Sequence, residues 1–97
     1  MTRKFNIQIE ERAKLEIAEA FELYEIQKNG LGEDFLNSLD NAFKAIEKSP
    51  KGYTQIKNHR QFPLYNFPFV ILYEIDNLTI FVDAVFHTSR NPKNKFK

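Results

Sequence analysis

The residues whose types could do chemistry gather in the second half of the chain: His59 and His87, the cations Lys57, Arg60 and Arg90, and the phenols Tyr65 and Tyr73. Imidazole is the side chain most easily poised to exchange a proton near neutral pH. Guanidinium presents a planar fork that grips a phosphate or a carboxylate through paired hydrogen bonds. His87 ends a strand-like run and precedes the cations Arg90, Lys93, Lys95 and Lys97, a stretch with no acidic residue. Proton transfer beside a clamped phosphate is therefore one chemistry open to this set. Each residue also has a structural reading. His87 could hydrogen-bond a neighbouring strand and close a sheet. Arg60 and Arg90 could pair with Asp83, Glu74 or the C-terminal carboxylate, and an Asp83 facing Arg60 would compete with phosphate for it. Tyr73 has an apolar body and a polar tip on an apolar strand, which suits a core position. The basic tail could track a phosphate backbone, meet an acidic peptide or stay solvated.

The charge balance points the same way. Residues 1–50 hold seven Lys and Arg against ten Asp and Glu, whereas residues 51–97 hold seven against three. A basic half beside an acidic one suits a surface that meets an anion, although helices collect Glu by propensity alone. The chain has no cysteine, which excludes a disulfide scaffold and a thiolate metal site and fits a reducing compartment. With two histidines and no spaced carboxylate cluster, no metal ligand set is expected, and three glycines leave no phosphate-binding glycine loop. No cofactor is expected. No apolar run reaches the roughly 20 residues of a membrane helix, and the basic start Met1-Thr2-Arg3-Lys4 is not followed by an apolar leader. The reading is a soluble cytoplasmic protein with one domain over residues 1–97.

Some framework must hold those side chains. Phe5-Asn6-Ile7-Gln8-Ile9 alternates apolar and polar, as a half-buried strand does. From Glu10 the apolar residues step by three and four, with Ala13, Ile17, Ala20 or Phe21, and Tyr24 on one helical face widened by Leu23 and Ile26. Gly30 and Gly32 bracket Leu31 and predict a helix end and a tight reversal. Phe35, Leu39, Ala42 or Phe43, and Ile46 make a second amphipathic helix, ended at Ser49-Pro50. Thr54 to His59 and Gln61 to Asn66 predict two short strands, or one strand bent at Pro63. Phe69 to Ile75 and Leu78 to His87 form a hairpin about Asp76-Asn77, and their nearly continuous apolar character predicts cover on both faces. The expected class is α+β: an N-terminal strand, an antiparallel helical hairpin, then a mainly antiparallel sheet, in the order β-α-α-β-β-β.

That order, with these residues, resembles the RelE/ParE toxin superfamily, the toxin components of bacterial type II toxin–antitoxin systems, including plasmid-stabilisation proteins. The resemblance runs from Arg3 to Phe96 and is strongest in the second half. It rests on Arg60, then Phe67-Pro68-Phe69-Val70-Ile71-Leu72-Tyr73, then the strand Ile80 to Phe86, then His87-Thr88-Ser89-Arg90-Asn91-Pro92. Departures are Asn66 where relatives often carry Lys or Arg before Phe-Pro, Phe96 in place of a Trp, and Asp83 at a position usually apolar or neutral.

The resemblance implies a growth-inhibiting toxin neutralised by a cognate antitoxin, with one of two targets. A ParE-like toxin poisons DNA gyrase and has no catalysis of its own. A RelE-like toxin is an endoribonuclease that cuts mRNA on the ribosome. Such cleavage needs a base for the 2′-hydroxyl, positive charge at the phosphate and an acid for the leaving oxygen. The set that would carry it here is Arg60, His87 and Arg90, with Tyr73 and Lys57 behind them and His59 and Tyr65 as further candidates. The modest net charge, the thinned basic cluster and the His-x-x-Arg-x-Pro ending favour the ParE-like reading. A degenerate module that keeps only antitoxin binding is the third reading.

Overall fold

A computed structural model describes residues 4–89. Strand β1 (Asn6–Ile9) leads through Glu10 into helix α1 (Glu11–Gln27), followed by helix α2 (Leu31–Lys48) and a single 3-10 turn at Pro50–Gly52. Four strands complete the order: β2 (Gln55–Ile56), β3 (His59–Pro63), β4 (Phe69–Asp76) and β5 (Thr79–His87). The sheet runs β1-β5-β4-β3-β2. Only β1 is parallel to its neighbour, and the other pairs are antiparallel. This is the α+β class that the sequence predicts. The region between Gly52 and Phe67 forms two short strands rather than one bent one. Lys57 adopts a left-handed backbone, φ 55°, in the turn that separates them.

The helical hairpin depends on two glycines with different duties. Gly30 supplies the left-handed turn, with φ 91°, a conformation open to a residue without Cβ. Gly32 is not part of the reversal. It lies in the first turn of α2, where a Cβ would stand 2.8 Å from both the ring and the carbonyl of Phe21, so its absence sets how closely the helices cross. No side chain of the turn caps α2. Instead Glu25, from the end of α1, accepts the amide hydrogens of Gly30 at 3.1 Å and Gly32 at 2.8 Å. A carboxylate there satisfies otherwise orphaned donors and lies at the positive end of the helix dipole.

One face of the sheet packs on the helices. Ala13 and Ala20 from α1 and Phe35, Leu39, Ala42 and Ile46 from α2 meet Ile71, Tyr73, Ile80, Val82 and Val85. Tyr24, Phe35, Phe67 and Phe69 add an aromatic cluster with ring centroids 5.0–6.2 Å apart, which is how the Phe67-Pro68-Phe69 segment is held. Leu23 and Ile26 do not widen the core face. They are 62% and 81% exposed and join Leu15 on the outer side of α1. The spacing marked them as apolar but could not say on which side the core lay.

The hairpin of β4 and β5 turns one residue later than predicted. Asp76 pairs with Thr79, leaving Asn77 and Leu78 as the loop, and Asn77 has φ 55°. Within the hairpin the register slips: Leu72 pairs with Ala84 but Tyr73 pairs with Val82, so Asp83 is the extra residue of a β-bulge. The slip resets the alternation of β5. Val82 and Val85 face the helices, whereas Ala84 and Phe86 join Leu72 and Val70 in a second buried cluster on the opposite face. Both faces of these strands are therefore buried over part of their length.

Candidate functional site

The face of the sheet away from the helices carries a polar cluster built by strand alternation. Adjacent residues of a strand point to opposite faces, so His59 and Arg60 part company at the start of β3. Arg60 pairs in register with Tyr73, which faces the helices. His59 therefore lies on the other face, with Glu74 of β4 and the bulge residue Asp83 of β5. His59 Nε2 stands 3.0 Å from Asp83 Oδ2 and 3.6 Å from Glu74 Oε2. His59 and Asp83 are each 24% exposed at the side chain and Glu74 43%, so the cluster is sheltered yet open to solvent on one side. Burial is the main cause that pushes the Asp83 carboxyl up to about 7. The adjoining Glu74 carboxyl and the charge of Glu10 act in the same direction, and Arg12 opposes them. The pairing of Arg60 with Asp83 or Glu74, one of the readings that the sequence leaves open, does not occur, because Arg60 lies on the opposite face from both.

Arg60 has a structural post. Its Nη1 donates to the carbonyl oxygens of Lys51 at 3.1 Å and Tyr53 at 2.9 Å, and its Nη2 donates to Gln55 Oε1 at 3.1 Å. Tyr73 is fully buried and donates from its hydroxyl to the Pro50 carbonyl at 2.7 Å. Its phenol is pushed up to about 12, chiefly by burial, with Arg60 opposing. Lys57 is exposed in the β2–β3 turn, where its carbonyl accepts from Gln55. Tyr65 is 95% exposed and borders a groove with Asn66, Phe67 and residues of α2.

His87 ends β5 beside Phe69, its register partner, with the two rings edge to face at 5.3 Å. Its Nδ1 accepts the Ser89 amide hydrogen at 3.0 Å and lies 2.8 Å from the Ser89 hydroxyl. These bonds place the ring proton of the neutral form on Nε2. The imidazole lines a groove of about 520 Å³ with Arg12, Glu16, Glu19, Leu23 and Val85. Arg60 and His87 do not converge. In register they are four residues apart along β4 and two strands apart across the sheet, roughly 16 Å at about 3.3 Å per residue and 4.8 Å per strand. Arg90 and the cations after it lie outside the described residues.

Sequence reasoning missed the grouping of His59 with Glu74 and Asp83. The one signal available was the acidic residue at position 83, which departs from the pattern of the resembled family.

The fold is shared with a structure titled as the chromosomal ParDE toxin–antitoxin system from P. aeruginosa. The TM-score is 0.76 at 10% identity, over 86% of this chain and 95% of that one. A model of the ParE toxin family, described as the ParE toxin of the type II toxin-antitoxin system parDE, matches residues 7–92. The chain belongs to the ParE toxin family of type II toxin–antitoxin systems. No curated protein matches it in sequence. Among the described residues no helix is long and apolar enough to cross a membrane.

Proposed function

We propose that the chain arrests growth as a ParE-like toxin, by binding DNA gyrase rather than by cutting RNA, and that an antitoxin encoded with it neutralises it. The observation that carries this reading is the separation of Arg60 from His87, together with the commitment of the Arg60 guanidinium to the Lys51 and Tyr53 carbonyls. A ribonuclease built on these residues needs them around one phosphate, and about 16 Å of sheet separates them. Tyr73, a reserve acid in that scheme, has its hydroxyl buried against Pro50. The antitoxin contact is favoured on the outer side of α1. There Leu15 and Leu23 are 61% and 62% exposed beside the groove that His87 lines. Helix α1 carries five glutamates against two cations, with Glu16 and Glu19 beside Arg12 at this groove, an acidic balance that suits an apolar segment with basic flanks.

The deciding experiment is induction of the protein alone in bacteria, with pulse labelling of DNA and protein synthesis. Early arrest of DNA synthesis with filamentation, translation intact at first, and toxicity unchanged in His87→Ala is the expected outcome. An early collapse of translation that His87→Ala or Arg90→Ala abolishes would establish the ribonuclease reading instead. Continued growth with soluble protein present would establish a degenerate binding module.

A further inference from the structure

The cluster on the helix-free face has the composition and spacing of a metal site. We propose that His59, Glu74 and Asp83 bind one divalent first-row transition-metal cation of the zinc class, which ties β3, β4 and β5 together. The proposal is independent of the target of the toxin.

Three observations carry it. The donor set is one imidazole nitrogen and two carboxylate oxygens, with one ligand atom from each residue and all three within 4.8 Å of one another. Imidazole combined with carboxylates suits zinc and its neighbours better than magnesium or calcium, which take oxygen alone. The spacing also fits. Around a four-coordinate ion with bonds of about 2.0–2.1 Å, donor atoms stand roughly 3.3–3.4 Å apart. The distances from His59 Nε2, 3.0 Å to Asp83 and 3.6 Å to Glu74, bracket that value. Finally, Oδ2 of Asp83 is shut off from solvent and completes no well-formed hydrogen bond, although His59 Nε2 stands 3.0 Å away and the Glu74 carboxyl adjoins it. A buried polar atom without a hydrogen bond is uncommon in folded proteins and calls for an account, and a cation bound at this point would satisfy it. The three ligands come from three adjacent strands whose register fixes their relative positions, so little ordering is left to binding. Water would complete the coordination, and Glu74 is the most exposed of the three ligands.

Alternation from Val82 already turns Asp83 to this face, and the extra residue lets Ala84 follow it there beside Leu72, so the bulge leaves Asp83 outside the regular pairing of β4 with β5.

The test uses the full-length chain stripped with chelator and titrated with zinc ions, read by calorimetry and thermal unfolding, and with cobalt ions, read by visible absorption. One equivalent bound, a rise in Tm and the intense d–d bands of four-coordinate cobalt are expected. His59→Gln and Asp83→Asn should each weaken binding at least about tenfold, and His87→Gln should leave it unchanged. Asp83→Asn removes a sheltered charge and is not expected to unfold the chain, so its loss of binding reads directly on the site. No saturable binding, or binding that survives His59→Gln and Asp83→Asn, would overturn the proposal.

Discussion

Arg60 and Tyr73 face each other across β3 and β4, and both donate hydrogen bonds into the same short segment, Arg60 to the carbonyls of Lys51 and Tyr53 and Tyr73 to that of Pro50. The end of α2 and the 3-10 turn are thereby fastened to the centre of the sheet. Tyr73→Phe leaves the ring in place and the Pro50 carbonyl without its donor, so a loss of about 1–2 kcal/mol is expected. Arg60→Ala removes three contacts and should lose more, roughly 2–3 kcal/mol. Urea denaturation of the purified variants measures both. In cells, Arg60→Ala should lower toxicity in proportion to its soluble abundance. Lost toxicity at full abundance and wild-type stability would return Arg60 to the functional site.

Gly32→Ala tests the helix crossing. Alanine is the better helix former by about 1 kcal/mol, and on an open helix it would stabilise. Here its methyl group would lie 2.8 Å from the ring and the backbone oxygen of Phe21. The ring can swing aside but the carbonyl cannot, so a net loss on the order of 1–3 kcal/mol is expected from overpacking. A Tm at or above that of the wild type would show that the two helices can separate freely.

How far the sequence went follows from what each signal encodes. Phe35, Leu39, Ala42 and Ile46 were legible because a helix facing a core repeats its apolar residues at its own period. Leu15, Leu23 and Ile26 were not, because α1 is apolar on two sides and periodicity does not say which is covered. The hairpin was legible from Asn77, but its loop shifted by one because strand register depends on the whole ladder rather than on the turn alone. The bulge at Asp83 left no local mark beyond an acid in an apolar run. That hid the grouping of three residues that lie 9 and 15 positions apart on three strands. Arg60 was legible as a guanidinium in search of anions, but its carbonyl partners are set by the tertiary approach of residues 51–53. Arg90 lies outside the described residues.

Asp83, with Glu74 beside it, contributes a pH dependence to the stability of the metal-free protein. Its folded pKa of about 7 lies above the 3.8 of the unfolded chain. Between those values the native state holds the extra proton. The resulting stabilisation is therefore fully present below about pH 4 and is lost as pH rises through 7. Other carboxylates titrate in the lower part of that range, so the comparison is best made with Asp83→Asn between pH 5 and 8. The wild type should lose stability relative to the variant across this window, on the order of 1 kcal/mol after allowance for solvent screening. Parallel Tm profiles for the two proteins would mean that the carboxyl titrates near its ordinary value.

The outer side of α1 separates folding from recognition. Leu15 and Leu23 are more than half exposed, so replacing them with Asp removes little buried area, and Tm should stay within a few degrees of the wild type. If the antitoxin seats apolar side chains beside them, the double variant Leu15→Asp/Leu23→Asp should still arrest growth when expressed alone but should no longer be rescued by the antitoxin. Added negative charge on an already acidic helix would weaken the approach of a basic segment further, and most strongly at low salt. Co-expression with the antitoxin and pull-down at two ionic strengths reads the effect. Full rescue and unchanged capture would place the antitoxin on another face. Loss of toxicity with neutralising contact intact would assign this groove to the cellular target instead.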